Sequence, residues 1–226
     1  MFVTFDSEFL SRAPAISVPD ANAPGALREH EVRLKPGQFL FHQGDEARTI
    51  YRVTKGVVRL SSVTEKGHQQ VVAFGYPGDI VGFPVRGLRN TDCDALTPAA
   101  LTAIAARLPE ASSGGAAEAA FLAAAALWEI GAMQEHLITI GRASSRERVA
   151  SFLVVLMRRV GRHDESGIHV DLPMSRADIA DFLGIRTETV SRAFTEFRRA
   201  GLIELPSAQH VMILKPQALI DAAESD

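Results

Sequence analysis

The residues best placed for selective chemistry lie in "GIRTETVSR", residues 184–192 of a 226-residue chain. After the chain-breaking Gly184, the residues Thr187, Glu188, Ser191 and Arg192 recur at helical spacing. On a wheel of about 100° per residue, Val190, Phe194 and Phe197 fall within about 60° of one another and form an apolar stripe. Glu188, Arg192, Thr195 and Arg199 fall on the opposite side, with Ser191 and Thr187 on its flank. Short, polar side chains at the N-terminal end of such a helix can reach base edges in a DNA major groove: arginine donates two bonds to guanine, and glutamate accepts from the cytosine amino group. Arg186, Arg198 and Arg199 are better placed for phosphates, which position a protein without specifying sequence. In isolation, Glu188 and Arg192 could equally be an i,i+4 surface pair worth a few tenths of a kcal/mol.

Other chemistries find little support. No nucleophile–base pattern and no phosphate-cradling glycine loop occurs. A cupin-type metalloenzyme needs clustered ligands, and the chain has no His-x-His. The single cysteine, Cys93, excludes a disulfide framework or a thiolate cluster within one chain. It reads as part of a polar loop, "NTDCDAL", whose aspartates disfavour a reactive thiolate. His42, His68 and His136 are the candidates for a haem ligand, one histidine being enough, although each also fits a structural role.

The elements that must hold these residues follow from the pattern. "SRADIADFLG" carries a capping Ser175 with Asp178 three residues on, and inward Ile179 and Leu183. Gly184 turns the chain into the helix from about Thr187 to Ala200, which Gly201 stops. "LIELP" and "HVMILK" then read as two short strands, giving a winged helix-turn-helix. "GIHVDLP" reads as another strand, and "SSRE" (Ser144, Glu147) has capping-box spacing ahead of a helix with Val149, Phe152, Leu153, Leu156, Met157 and Val160 inward. From Val32 to about Arg107 the chain is short β-branched and aromatic runs punctuated by glycines, which argues for an antiparallel β-roll. Gly67 in "TEKGHQ" sits where a hairpin needs positive φ. "PEASSGG" is a hinge. Between them and Gly141, Ala123, Ala126, Ile130, Met133, Leu137 and Ile140 step in heptad fashion. That spacing serves a helix pairing with a second copy as well as one packed on its own roll.

The expected class is α+β: an arm at 1–30, a β-roll at 31–115, a long helix at 116–141 and a winged helix-turn-helix at 142–226. Apolar residues are 46% of the chain, enough for a core, and no apolar run nears the roughly 20 residues of a membrane span. A cytoplasmic protein is expected, since the N-terminus lacks a basic region followed by an apolar one. Net charge is −3, but its excess of acid lies in residues 1–140, with 12 basic and 15 acidic side chains; residues 141–226 hold 12 of each. A local basic face on the second part could still meet phosphate.

Taken together, "GQFLFHQGDEARTIYRVTKGVVRL", "PGDIVGF", the heptad helix and "SRADIADFLGIRTETVSRAFTEFRRAGLIEL" resemble the Crp/Fnr family of bacterial transcription regulators over about residues 32–215. The resemblance implies a homodimer, paired through Ile130, Met133, Leu137 and Ile140, that sets two recognition helices on double-stranded DNA. It implies contact with RNA polymerase through the "VTEKGHQ" hairpin. "E-T-V-S-R" resembles the Fnr and FixK branches, which read inverted repeats of TTGA-type half-sites. By that likeness Arg192 meets the guanine, Glu188 the cytosine opposite, and Ser191 a flanking T·A pair, with Thr187 where the cAMP-receptor branch carries arginine. Arg186 departs from the small hydroxyl residue usual at that helix start.

Gly78, Asp79, Arg89 and Asn90 occupy positions similar to the family's phosphate-binding cassette. Asp79 is shorter than the usual glutamate, Asn90 replaces a hydroxyl residue, and Met133 and Gln134 stand where cAMP-binding members carry a Thr–Ser pair. Arg89 could equally be a surface loop arginine. The arm also lacks the cysteines of an iron–sulfur sensor. A FixK-like regulator without cofactor or small effector is expected. The alternatives are a ligand- or haem-responsive sensor of the same family, a cyclic-nucleotide-binding regulatory module, or a cupin-like metalloenzyme.

Overall fold

The computed structural model describes residues 30–63, 67, 69–105, 116–142 and 144–224. Residues 1–29 of the arm, Thr64 to Lys66, His68 and the "PEASSGG" stretch lie outside the described residues, and His30, expected in the arm, opens the first strand. Eight strands come first: β1 (His30–Leu34), β2 (Phe39–Phe41), β3 (Thr49–Lys55), β4 (Val58–Val63), β5 (Gln69–Gly75), β6 (Ile80–Val81), β7 (Asp92–Ala95) and β8 (Ala99–Ala105). They form two antiparallel sheets, ordered β1-β8-β3-β6 and β2-β7-β4-β5. Alternate residues of both point to one core that holds Leu34, Phe41, Val53, Val58, Leu60, Val81, Cys93 and Leu101. Gly56, at φ +78°, turns β3 into β4 so close to Pro98 and Ala99 that no Cβ could fit. Gly67 has the positive φ its hairpin requires.

Cys93 is not in a loop. It pairs with Leu60 across β4 and is fully buried. Burial, reinforced by Asp94, pushes its thiol up to about 12. Aspartate is rare in strands, and the two in "DCDA" hid a strand whose Cys93 faces the core.

Helix α1 (Ala116–Arg142) follows, and the division into two compact units falls after Met133. In the first unit, Phe121 and Leu122 of α1 join Ile50 and Ile104 in a second apolar cluster. The second unit holds α2 (Ser145–Val160), β9 (Arg162–Asp164), β10 (Gly167–Asp171), α3 (Arg176–Leu183), α4 (Thr187–Arg199), β11 (Ile203–Ser207), β12 (His210–Ile213) and α5 (Pro216–Asp221). Its antiparallel sheet has the order β11-β12-β10-β9. The Ser144–Glu147 box caps α2 in both directions, with Ser144 N–H donating to Glu147 Oε2 at 2.6 Å and Glu147 N–H to Ser144 Oγ at 3.3 Å. Val149, Phe152, Leu153, Leu156 and Met157 are buried as their spacing requires, while Val160 is half-buried.

Candidate nucleic-acid interface

The first helix of the pair, α3, begins at a reciprocal Ser175–Asp178 cap and ends at Gly184, φ +63° and ψ +39°. That left-handed residue, which lacks a Cβ to clash, reverses the chain within one turn. Ile185 N–H donates to Ala180 O at 3.0 Å, and Arg148 of α2 donates to Leu183 O at 3.3 Å, so the turn is held from both sides. Arg186 is the N-cap residue of α4 and makes no side-chain cap bond. Its side chain is thus left to solvent, at the cost of about 1 kcal/mol that a Ser or Asp cap would supply.

Helix α4 is sharply two-faced. Val190, Ala193, Phe194 and Phe197 are buried. Thr187, Glu188, Ser191 and Arg192 are exposed together at its N-terminal end, and Arg186, Arg198 and Arg199 are exposed at its ends. Glu188 and Arg192 form no ion pair with each other among the described residues. The surface-pair explanation of their spacing is therefore not realised, and both keep their hydrogen-bonding capacity outward. Thr195 differs from its expected role: it is half-buried, and its hydroxyl donates to Ser191 O at 2.9 Å.

Two arginines that sequence reasoning did not single out pack against α4 from neighbouring helices. Arg176 lies 3.7 Å over the Phe194 ring and Arg146 lies 5.1 Å over Phe197. Arg146 also reaches Glu196 at 3.9 Å. Burial against the ring lowers the Arg176 guanidinium below its ordinary value. No short-range pattern marks such contacts, because each joins residues far apart in the chain.

Three of the four cassette-like residues, Gly78, Asp79 and Arg89, are otherwise engaged. Gly78, at φ +96°, and Asp79 build the turn before β6. The buried Asp79 carboxylate accepts from Tyr76 N–H at 2.8 Å, and Asp79 O accepts from Val53 N–H at 2.8 Å. Arg89 is not a surface arginine. It is 4% exposed, donates to Gly82 O and, at 2.6 Å, to Thr49 O, and lies 4.2 Å over Phe41. Neutral carbonyls and ring faces receive the guanidinium, and burial, partly offset by nearby groups that include Asp45, lowers its pKa below the ordinary value. Asn90 is exposed.

Along α1, Leu127, Ile130, Met133, Leu137 and Ile138 are exposed, Leu137 by 68%, and Ile140 is half-buried. His136 is buried and stacked on Phe182 at 4.3 Å, and burial lowers it to about 4. His42 is exposed beside Asp92, its Nδ1 3.3 Å from Oδ1. Among the described residues no three His, Cys, Asp or Glu side chains cluster to hold a metal ion, and no helix is long and apolar enough to cross a membrane.

Comparison with known proteins agrees with this anatomy. Residues 147–222 match the Crp-like helix-turn-helix domain, and residues 31–107 match the cyclic nucleotide-binding domain. The chain is 38% identical to the nitrogen fixation regulation protein FixK of Rhizobium meliloti (strain 1021) over 185 residues, 82% of this chain and 83% of that protein. It is 32% identical to the transcriptional activator protein FnrA of Stutzerimonas stutzeri, over 84% of this chain and 79% of that one. The structure of FixK2 from Bradyrhizobium japonicum superposes with a TM-score of 0.77 at 27% identity, covering 87% of this chain and 98% of that one. With a helix-turn-helix whose polar N-terminal corner is exposed, and with relatives of this kind along most of its length, the chain belongs to the Crp/Fnr family as a FixK-like, DNA-binding transcription regulator rather than an enzyme.

Proposed function

We propose that the protein acts as a homodimer on an inverted repeat of TTGA-type half-sites without a small-molecule effector. The observation that carries this reading is the exposed corner of Thr187, Glu188, Ser191 and Arg192, backed by buried Val190, Phe194 and Phe197. Arg192 donates two bonds to the guanine, Glu188 accepts from the opposite cytosine, and Ser191 and Thr187 face the flanking step. Arg186, Arg198 and Arg199 hold phosphates and fix the register. Ile130, Met133, Leu137 and Ile140 pair with their copies, setting the two recognition helices one helical turn apart. Control through abundance or proteolysis, with RNA polymerase as the partner on DNA, fits a chain whose Arg89 is spent on Thr49 and Gly82.

The test compares TTGAT-N4-ATCAA with a scrambled duplex at matched salt, for the protein and for Arg192→Ala. Tight binding to the repeat, lost by about tenfold or more per half-site in the variant, is expected from a bidentate contact worth roughly 1–3 kcal/mol. Equal affinity for both duplexes would overturn the base assignments. An absorption spectrum with metal analysis and a cAMP titration checks the absence of an effector. A Soret band, stoichiometric iron or saturable cAMP binding would make the protein a sensor.

A further inference from the structure

The outer face of the wing sheet carries a chain of four titratable groups that the DNA-reading surface does not use. β10 and β12 turn Ile168, Val170, Val211 and Ile213 inward, which leaves His169, Asp171, His210 and Met212 on the outer face. Asp171 Oδ1 lies 3.0 Å from His210 Nδ1, His210 Nε2 lies 2.9 Å from His169 Nδ1, and His169 Nε2 lies 2.9 Å from Asp164 Oδ2. Both rings are about three-quarters covered. The other charged groups on the adjoining elements are Arg162, 2.8 Å from Asp171, the exposed Glu165 of the β9–β10 turn, and Glu204, opposite Met212 on β11; His163 holds the alternate position on β9.

Hydrogen-bond counting fixes how many protons this arrangement holds. A carboxylate only accepts, so the Asp171 contact needs a hydrogen on His210 Nδ1. The nitrogen–nitrogen contact needs one hydrogen, and with Nδ1 of His210 already protonated, a neutral His210 must accept it from His169. At the far end, Ser166 Oγ lies 2.6 Å from Asp164 Oδ1 and 2.9 Å from His169 Nε2. The hydroxyl has one hydrogen, and Asp164 Oδ1 takes it. Ser166 and Asp164 therefore both accept at His169 Nε2, which must carry a hydrogen of its own. Three contacts need three hydrogens, whereas two neutral imidazoles supply two.

We propose that His169 and His210 share one extra proton, with His169 an imidazolium donating to Asp164 and to a neutral His210, as a pH-responsive clamp that ties the wing strand β12 to β10 and to the β9–β10 turn. Losing the proton sets a ring lone pair against the Asp164 carboxylate and loosens the turn. Gaining a second sets two N–H groups face to face at 2.9 Å and parts β10 from β12 on this face. The carboxylates suit the role: bonds from the Ser166 hydroxyl and backbone hold Asp164 at about 2, and bonds from His210 and Arg162 outweigh partial burial to keep Asp171 below its ordinary range.

The test is a long-range 1H–15N spectrum of the full chain labelled at histidine, taken through the pH range in which it stays folded. A window is expected in which His169 shows two protonated ring nitrogens and His210 only its Nδ1–H, bounded on each side by coupled changes at both rings. Asp164→Asn and His210→Gln lie on the outer face, and circular dichroism checks their fold. Asp164→Asn should return His169 to a neutral ring in that window, and His210→Gln should abolish the coupled changes. Two rings that titrate independently, or an imidazolium unchanged in Asp164→Asn, would overturn the clamp.

Discussion

At the residue scale, the contrast between Arg192 and Arg89 separates a side chain open to a partner from one built into the framework. Both are arginines in glycine-flanked segments, yet one is exposed and the other buried against Phe41 and two carbonyls. His136 is a second buried group with a measurable consequence. Its folded-state value of about 4 lies below its ordinary 6.5, so between these values the unfolded chain binds more protons than the folded one. Stability is then full above about 6.5 and falls as pH drops towards 4, by roughly 3 kcal/mol over the whole interval. Urea unfolding should show a loss of about 2 kcal/mol between pH 7 and pH 5, and His136→Phe, which keeps a ring on Phe182, should show much less. An equal loss in both proteins would place the acid sensitivity elsewhere.

At the element scale, α1 packs on the roll with one face and leaves apolar residues exposed on another, the face proposed to pair with a second copy. Phe121 and Leu122 cover Ile50 and Ile104 of the roll, while Leu127, Ile130 and Leu137 remain exposed. A continuous apolar stripe in water has a cost that pairing with a second copy removes, at about 1.5–3 kcal/mol for each large side chain covered. Leu137→Glu should therefore weaken dimerisation by on the order of 100-fold or more, since two copies of the change meet in each dimer. Sedimentation would show monomers at concentrations where the parent is dimeric, and affinity for the inverted repeat should fall with it. A Leu137→Glu protein that stays dimeric would mean that another surface makes the pair. The heptad spacing was legible in the sequence because it is a property of one helix. Which of its faces the roll covers was not, because Phe121 and Ile104 meet only through tertiary folding.

At the scale of the whole molecule, a net charge of −3 is compatible with DNA binding because the arginines sit where the helix ends. If Arg186, Arg198 and Arg199 each neutralise one phosphate per protomer, six contacts give a log–log salt slope of about −5. Arg198→Ala should reduce its magnitude by about 2 for the dimer while weakening the repeat and the scrambled duplex alike. Arg192→Ala should instead erase the preference between them. A change in preference with Arg198→Ala would move that residue from phosphate to base.

Local pattern alone determined a good deal about this protein: the capping boxes at Ser144 and Ser175, the turn at Gly184, the inward Val190, Phe194 and Phe197, and thereby the exposed corner. These depend on interactions within a few residues, where helical period and caps act directly. Tertiary structure decided what periodicity cannot reach. It buried Cys93 in a strand, closed Arg89 onto Thr49, laid Arg176 on Phe194 and brought His169, His210, Asp164 and Asp171 into one hydrogen-bonded chain. Each of these joins residues from separate elements, and strand register or helix packing, rather than spacing along the sequence, sets their distances.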